Sequence, residues 1–86
     1  MTDKTTPQTR EELLVSSLDA RIQEVMNYQI NIDNYTFALE EIGNLPSNER
    51  AELSAFSEQL RNLLTSEKLE QKKAQIMLNV IKRQVE

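Results

Sequence analysis

Ile42-Gly43-Asn44-Leu45-Pro46-Ser47-Asn48 decides the fold, because it holds the only glycine of the chain and the only proline outside the first eight residues. Gly43 can take the left-handed conformation that closes a helix. Pro46 cannot continue one, and Ser47 or Asn48 can cap the next by accepting from its first amides. The stretches on either side are rich in Glu, Gln, Leu, Lys and Ala and read as helix. The expectation is an all-α antiparallel helical hairpin with a tight reversal over residues 43–47.

Upstream of the reversal, Ile42, Leu39, Tyr35, Ile32, Tyr28, Val25, Leu18 and Leu14 step by alternating threes and fours, with Arg21 as the interruption. That stepping is a coiled-coil seam. Thr9-Arg10-Glu11-Glu12 matches a capping box, so helix 1 is expected over residues 10–42. Residues 1–8 are polar, contain Pro7 and lack periodicity; they read as a flexible tail. A second ridge, Val15, Ile22, Met26, Ile30 and Phe37, runs beside the seam, displaced by roughly a quarter turn or more. One partner helix would cover only one of the two.

Downstream, helix 2 is expected over residues 48–84. Leu53, Phe56, Leu60, Leu63 and Leu64 mark its inner face, which returns as Ala74, Met77, Leu78, Ile81 and Val85. In between, Glu67, Glu70 and Gln71 replace apolar residues, and Thr65-Ser66 could cap a new helix. A single helix is favoured, with a kink near 65–66 as the alternative. Leu69, Ile76 and Val80 form a further ridge nearly opposite the inner face. A reversal centred on Leu45 pairs residues whose numbers sum to roughly 90. This sets Asp19 against Lys72, Arg21 against Glu70, Glu40 or Glu41 against Arg50, and Glu11-Glu12 against Lys82-Arg83. Such surface pairs contribute ~0.5 kcal/mol each, so they speak to direction more than stability.

Both ridges would face water in an isolated hairpin. Val15, Ile22, Met26, Ile30, Phe37, Leu69, Ile76 and Val80 are therefore the expected contacts of a homo-oligomeric bundle, a dimer or larger. The 86 residues make a single domain over residues 9–86.

Composition narrows the chemistry. The chain has no cysteine and no histidine, hence no thiolate nucleophile, imidazole base or zinc site of the usual ligands. No glycine-rich phosphate loop is present, and the doublets Glu11-Glu12 and Glu40-Glu41 read as solvated edges rather than metal ligands. A non-enzyme without cofactor or metal is expected. Ten basic against 14 acidic residues give a net charge of -4, which disfavours nucleic acid as a partner. No apolar run approaches the length of a membrane span or a signal-peptide core, so a cytoplasmic protein is expected.

Two local compositions invite a site. Asn27 to Tyr35 gathers amides and two tyrosines in mid-helix, where Asn and Asp are mediocre helix formers. Either Gln29 and Thr36 fix the register of an oligomer while the tyrosines pack, or Tyr28, Asn31 and Tyr35 form a polar-aromatic patch for a partner or ligand. Lys72 and Lys73, with Lys68, Lys82 and Arg83, make a basic end. It either complements the acidic start of helix 1 or receives a small anion such as a nucleotide.

Tyr28-Gln29-Ile30-Asn31-Ile32-Asp33-Asn34-Tyr35 together with Glu70-Gln71-Lys72-Lys73-Ala74-Gln75-Ile76-Met77-Leu78 resembles small all-helical accessory proteins encoded by bacteriophages. The resemblance covers about a fifth of the chain and carries no functional residue over. It implies a context in which such proteins bind host factors, assist virion assembly or neutralise host defences, in the cytoplasm of a bacterial host. The expected function is that of a homo-oligomeric protein-interaction module, an adaptor, assembly chaperone or inhibitor. The alternative is an oligomer that sequesters a small anionic ligand, such as a cyclic nucleotide, to block a defence signal.

Overall fold

The computed structural model describes residues 8–85. The stretch read as a tail therefore lies outside the described residues except for Gln8, which is exposed ahead of Thr9. Three helices follow one another: α1 (Arg10–Gly43), α2 (Ser47–Glu52) and α3 (Ser54–Val85). The capping box forms as expected. Thr9 Oγ1 accepts from the Glu12 backbone N–H at 3.2 Å, and Glu12 Oε1 accepts from the Thr9 backbone N–H at 2.8 Å. The Thr9 backbone bond, aided by its hydroxyl, holds the Glu12 carboxyl below the ordinary carboxylate range.

The other end of α1 closes differently from the expectation. Gly43 stays inside the helix, and no described glycine has a positive φ. The last carbonyls are met by the Asn44 N–H, shared at 3.2 Å between Glu40 and Glu41, and by the Leu45 N–H at 3.1 Å from Ile42. A tightened last turn thus does what a left-handed glycine would have done. Pro46 then starts α2 with no side-chain cap, and Ser47 is already helical, so neither Ser47 nor Asn48 plays the expected capping role.

The second helix is two pieces. At Leu53 the backbone leaves helical geometry for one residue, yet its N–H reaches the Glu49 and Arg50 carbonyls at 3.2 Å and its carbonyl accepts from Ser57 at 2.8 Å. Beyond this joint α3 is continuous through Thr65 and Ser66. Thr65 Oγ1 donates to the Arg61 carbonyl at 3.0 Å, so its hydroxyl serves its own helix and starts no new one.

Because the corner takes residues 44–53 instead of a tight turn at Leu45, the register moves. Asn31 reaches Glu67, Val25 reaches Gln71 and Arg10 reaches Gln84. The numbers of facing residues sum to the middle and upper nineties, which displaces each partner by about two helical turns from the expected pairing. The cross-helix charge pairs do not form among the described residues. Ion pairs there join neighbours on one helix: Arg21 to Glu24 at 2.9 Å, Arg61 to Glu58 at 3.3 Å and Lys73 to Glu70 at 3.0 Å. The two-turn displacement carries the expected partners past one another, and charge could not hold them in the expected register. Acidic residues dominate α1 and basic residues dominate α3, so opposite signs meet in almost any register and cannot select one.

Alternating steps of three and four do select it. On α1 the seam residues from Leu14 to Ile42, Arg21 included, are all half-buried except Ile32, which is buried. The matching seam on α3 is Ser57, Leu60, Leu64, Glu67, Gln71, Ala74, Leu78 and Ile81, every one of them buried or half-buried. Phe56, Leu63, Met77 and Val85, expected on the inner face, stand exposed. Each of the first three precedes a seam residue by one position, and one step turns a side chain about 100 degrees off the contact. The core is a single file of layers between the two long helices in a molecule measuring 70 × 32 × 16 Å. Among the described residues no helix is long and apolar enough to cross a membrane.

Candidate functional site

In mid-hairpin the seam turns polar. Asn31 Nδ2 donates to Glu67 Oε2 at 3.1 Å. Gln71 Nε2 donates to Gln29 Oε1 at 2.8 Å and to the Val25 carbonyl at 3.3 Å, while Gln29 Nε2 donates to Asp33 Oδ1 at 2.9 Å. The seam positions that break the apolar pattern of α3 are thus matched by amide side chains of α1, Asn31 and Gln29. Geometry puts Tyr28 and Tyr35 on the seam, half-buried, and puts Asn31 at its edge in the bond to Glu67.

The candidate ligand residues separate into three places. Lys73 is held by Glu70 on one flank of α3. Lys72 lies on the other flank and, with Lys68, rims a groove of about 660 Å³. Val25 and Ile32 give this groove an apolar floor, and Gln29, Gln71 and Gln75 give it an amide wall. Tyr28, Asn31 and Tyr35 do not line it. The groove is broadly open to solvent, and its cationic rim above an apolar floor suits a flat group that carries a negative charge. Lys68 enters the sequence reading only as part of the basic end, and Gln75 is not among its site residues. They step with Lys72 by four and three, a signal that points to a groove only once the register with Gln29 is known.

The larger surface feature is apolar. Val15, Met26, Ile30 and Phe37 on α1 are exposed, Phe37 by 59 % and Ile30 by 55 %. On α3, Leu69, Ile76 and Val80 are exposed, Ile76 by 55 %. Ile22, expected on the exposed ridge, is instead half-buried. Leu13, Phe56, Leu63, Met77 and Val85 enlarge the exposed set beyond the expected ridges. The described residues contain no group of three or more carboxylates placed to hold a metal ion. Neither a protein family, nor a curated protein, nor a solved structure matches this chain, so its surface has to speak for its function.

Proposed function

We propose that the chain is a non-catalytic, self-associating helical hairpin that acts by protein contact. In the setting its resemblance implies, that role is an adaptor, assembly chaperone or inhibitor among phage accessory proteins, working in the host cytoplasm. One observation carries the reading: the side chains buried between α1 and α3 are outnumbered by large apolar side chains left in water. In a monomer these side chains would stay in water, and covering a large aliphatic side chain contributes ~1.5 to 3 kcal/mol before entropy. The absence of histidine and cysteine supports a role without catalysis.

The Lys68/Lys72 groove favours a second reading, the sequestration of a small anion. Light scattering and thermal melts of the purified chain, with and without mono- and cyclic nucleotides, separate the two. The first reading expects a mass of several chains at micromolar concentration and no nucleotide-dependent rise in melting temperature. A folded monomer overturns it. A stabilisation approaching ~2.7 kcal/mol at a hundredfold excess over the dissociation constant, lost in Lys72→Ala, establishes the second.

A further inference from the structure

Five apolar residues of α1, Val15, Ile22, Met26, Ile30 and Phe37, do not stand alone on their face. Asp19 and Asp33 fall between them and Glu12 and Glu40 flank them, all at steps of three and four, and all four are exposed. The outer face of α3 carries the complementary line. Leu69, Lys73, Ile76, Val80 and Arg83 step by four, three, four and three, all exposed. One stripe intersperses apolar with acidic residues, the other apolar with basic. The helices agree as wholes: α1 holds seven carboxylates against Arg10 and Arg21, and α3 holds six basic residues against Glu58, Glu67 and Glu70.

We infer that the partner these stripes fit is a second copy of the chain, with α1 of one copy docked on α3 of the next; the inference rests on the self-association proposed above. Like-with-like pairing is disfavoured by charge. The α1 stripe reads the same in both directions about Met26, so an antiparallel α1 pair sets Asp19 against Asp33 and Glu12 against Glu40. An α3 pair sets Lys73 and Arg83 among each other. Pairing α1 with α3 of another copy joins apolar to apolar and acid to base.

The two stripes also point away from each other. Val15 and Ile22 share the column of Gln29, hence the flank of the Lys68/Lys72 groove, whereas Lys73 and Val80 lie toward the Glu70 flank and Leu69 and Ile76 lie on the back of α3. One copy therefore cannot engage both stripes with a single neighbour. The contact is head-to-tail, and such contacts build rings of three or more copies, or filaments, in place of a closed dimer.

Charge reversal tests this on the full chain. Variant one carries Asp19→Lys and Asp33→Lys; variant two carries Lys73→Glu and Arg83→Glu; variant three carries all four. Sedimentation velocity gives the mass, and circular dichroism confirms that each variant is helical. The wild-type chain forms assemblies larger than two copies. Variants one and two each need about tenfold or more higher concentration to associate. Variant three alone regains the wild-type assembly, and variants one and two associate again when mixed, in alternating copies. If a reversed variant fails to fold, variant three still decides. A closed wild-type dimer overturns the inference, and so does loss of assembly in variant one with none in variant two. Unchanged assembly in every variant overturns this pairing and leaves self-association standing. A monomeric wild type removes the underlying reading itself.

Discussion

The ends and the middle of the α1–α3 seam are built of different materials. Toward the corner the seam is built of Leu39, Ile42 and Leu60; toward the open end it is built of Leu14, Leu18, Leu78 and Ile81. Between them, Glu67 and Gln71 occupy core positions of α3 and are bonded to Asn31 and Gln29. Aliphatic layers supply free energy with little directionality, since one leucine packs on its neighbour about as well after a slip of one turn. Hydrogen-bonded layers contribute a net ~1 kcal/mol each but hold only in one register. The ends hold the hairpin shut, and the middle says where.

The largest effect should come from an end. Leu78→Ala removes a side chain that is only 5 % exposed and should destabilise the hairpin by about 2 to 4 kcal/mol, read from urea unfolding. A loss under ~1 kcal/mol would mean that the ends do not carry the stability. Substitution in the middle should act on order more than on stability. Gln71→Leu should leave the unfolding free energy within about 1 kcal/mol of wild type or raise it, while its amide NMR spectrum acquires extra or broadened peaks from slipped registers. A single sharp set of peaks would deny the polar layer its role. The smallest change belongs to the corner. A methyl group at Gly43 meets nothing within 4 Å, and the residue is helical, so Gly43→Ala should stabilise by about 0.5 to 1 kcal/mol. Destabilisation would indicate that Gly43 needs its conformational freedom after all.

Much of this was legible in the sequence. The α1 seam from Leu14 to Ile42 and the Thr9 capping box follow from spacing and from local donor chemistry, neither of which depends on a partner. The register was not legible, because it depends on how many residues the corner consumes. Pro46 announces a break, but nothing local says that the chain will spend Ser47–Glu52 as a separate turn of helix and pivot at Leu53. The inner face of α3 was half legible for a related reason. Phe56 beside Ser57, Leu63 beside Leu64 and Met77 beside Leu78 offer two adjacent apolar columns, and hydrophobicity ranks Phe56 above the buried Ser57. Only the unbroken alternation from Ser57 to Ile81, which requires accepting Glu67 and Gln71 as core residues, picks the right column. The candidate site suffered from the same gap, since Asn31 and Gln29 acquire partners only in the true register.

The corner also shapes the order in which layers can close. Asn31 and Glu67 are 36 residues apart along the chain and Arg10 and Gln84 are 74 apart, one doubling of loop length. Closure entropy grows so slowly that this doubling costs only about 0.6 kcal/mol, less than a single buried leucine returns. Once α2 has brought the two long helices alongside, each further layer extends a zipper against an almost constant penalty. The open end has a neighbouring layer on one side only and is the natural place for the zipper to part. The Thr9–Glu12 box and the Arg10–Gln84 bond at 3.1 Å stand at that end, where fraying would otherwise begin.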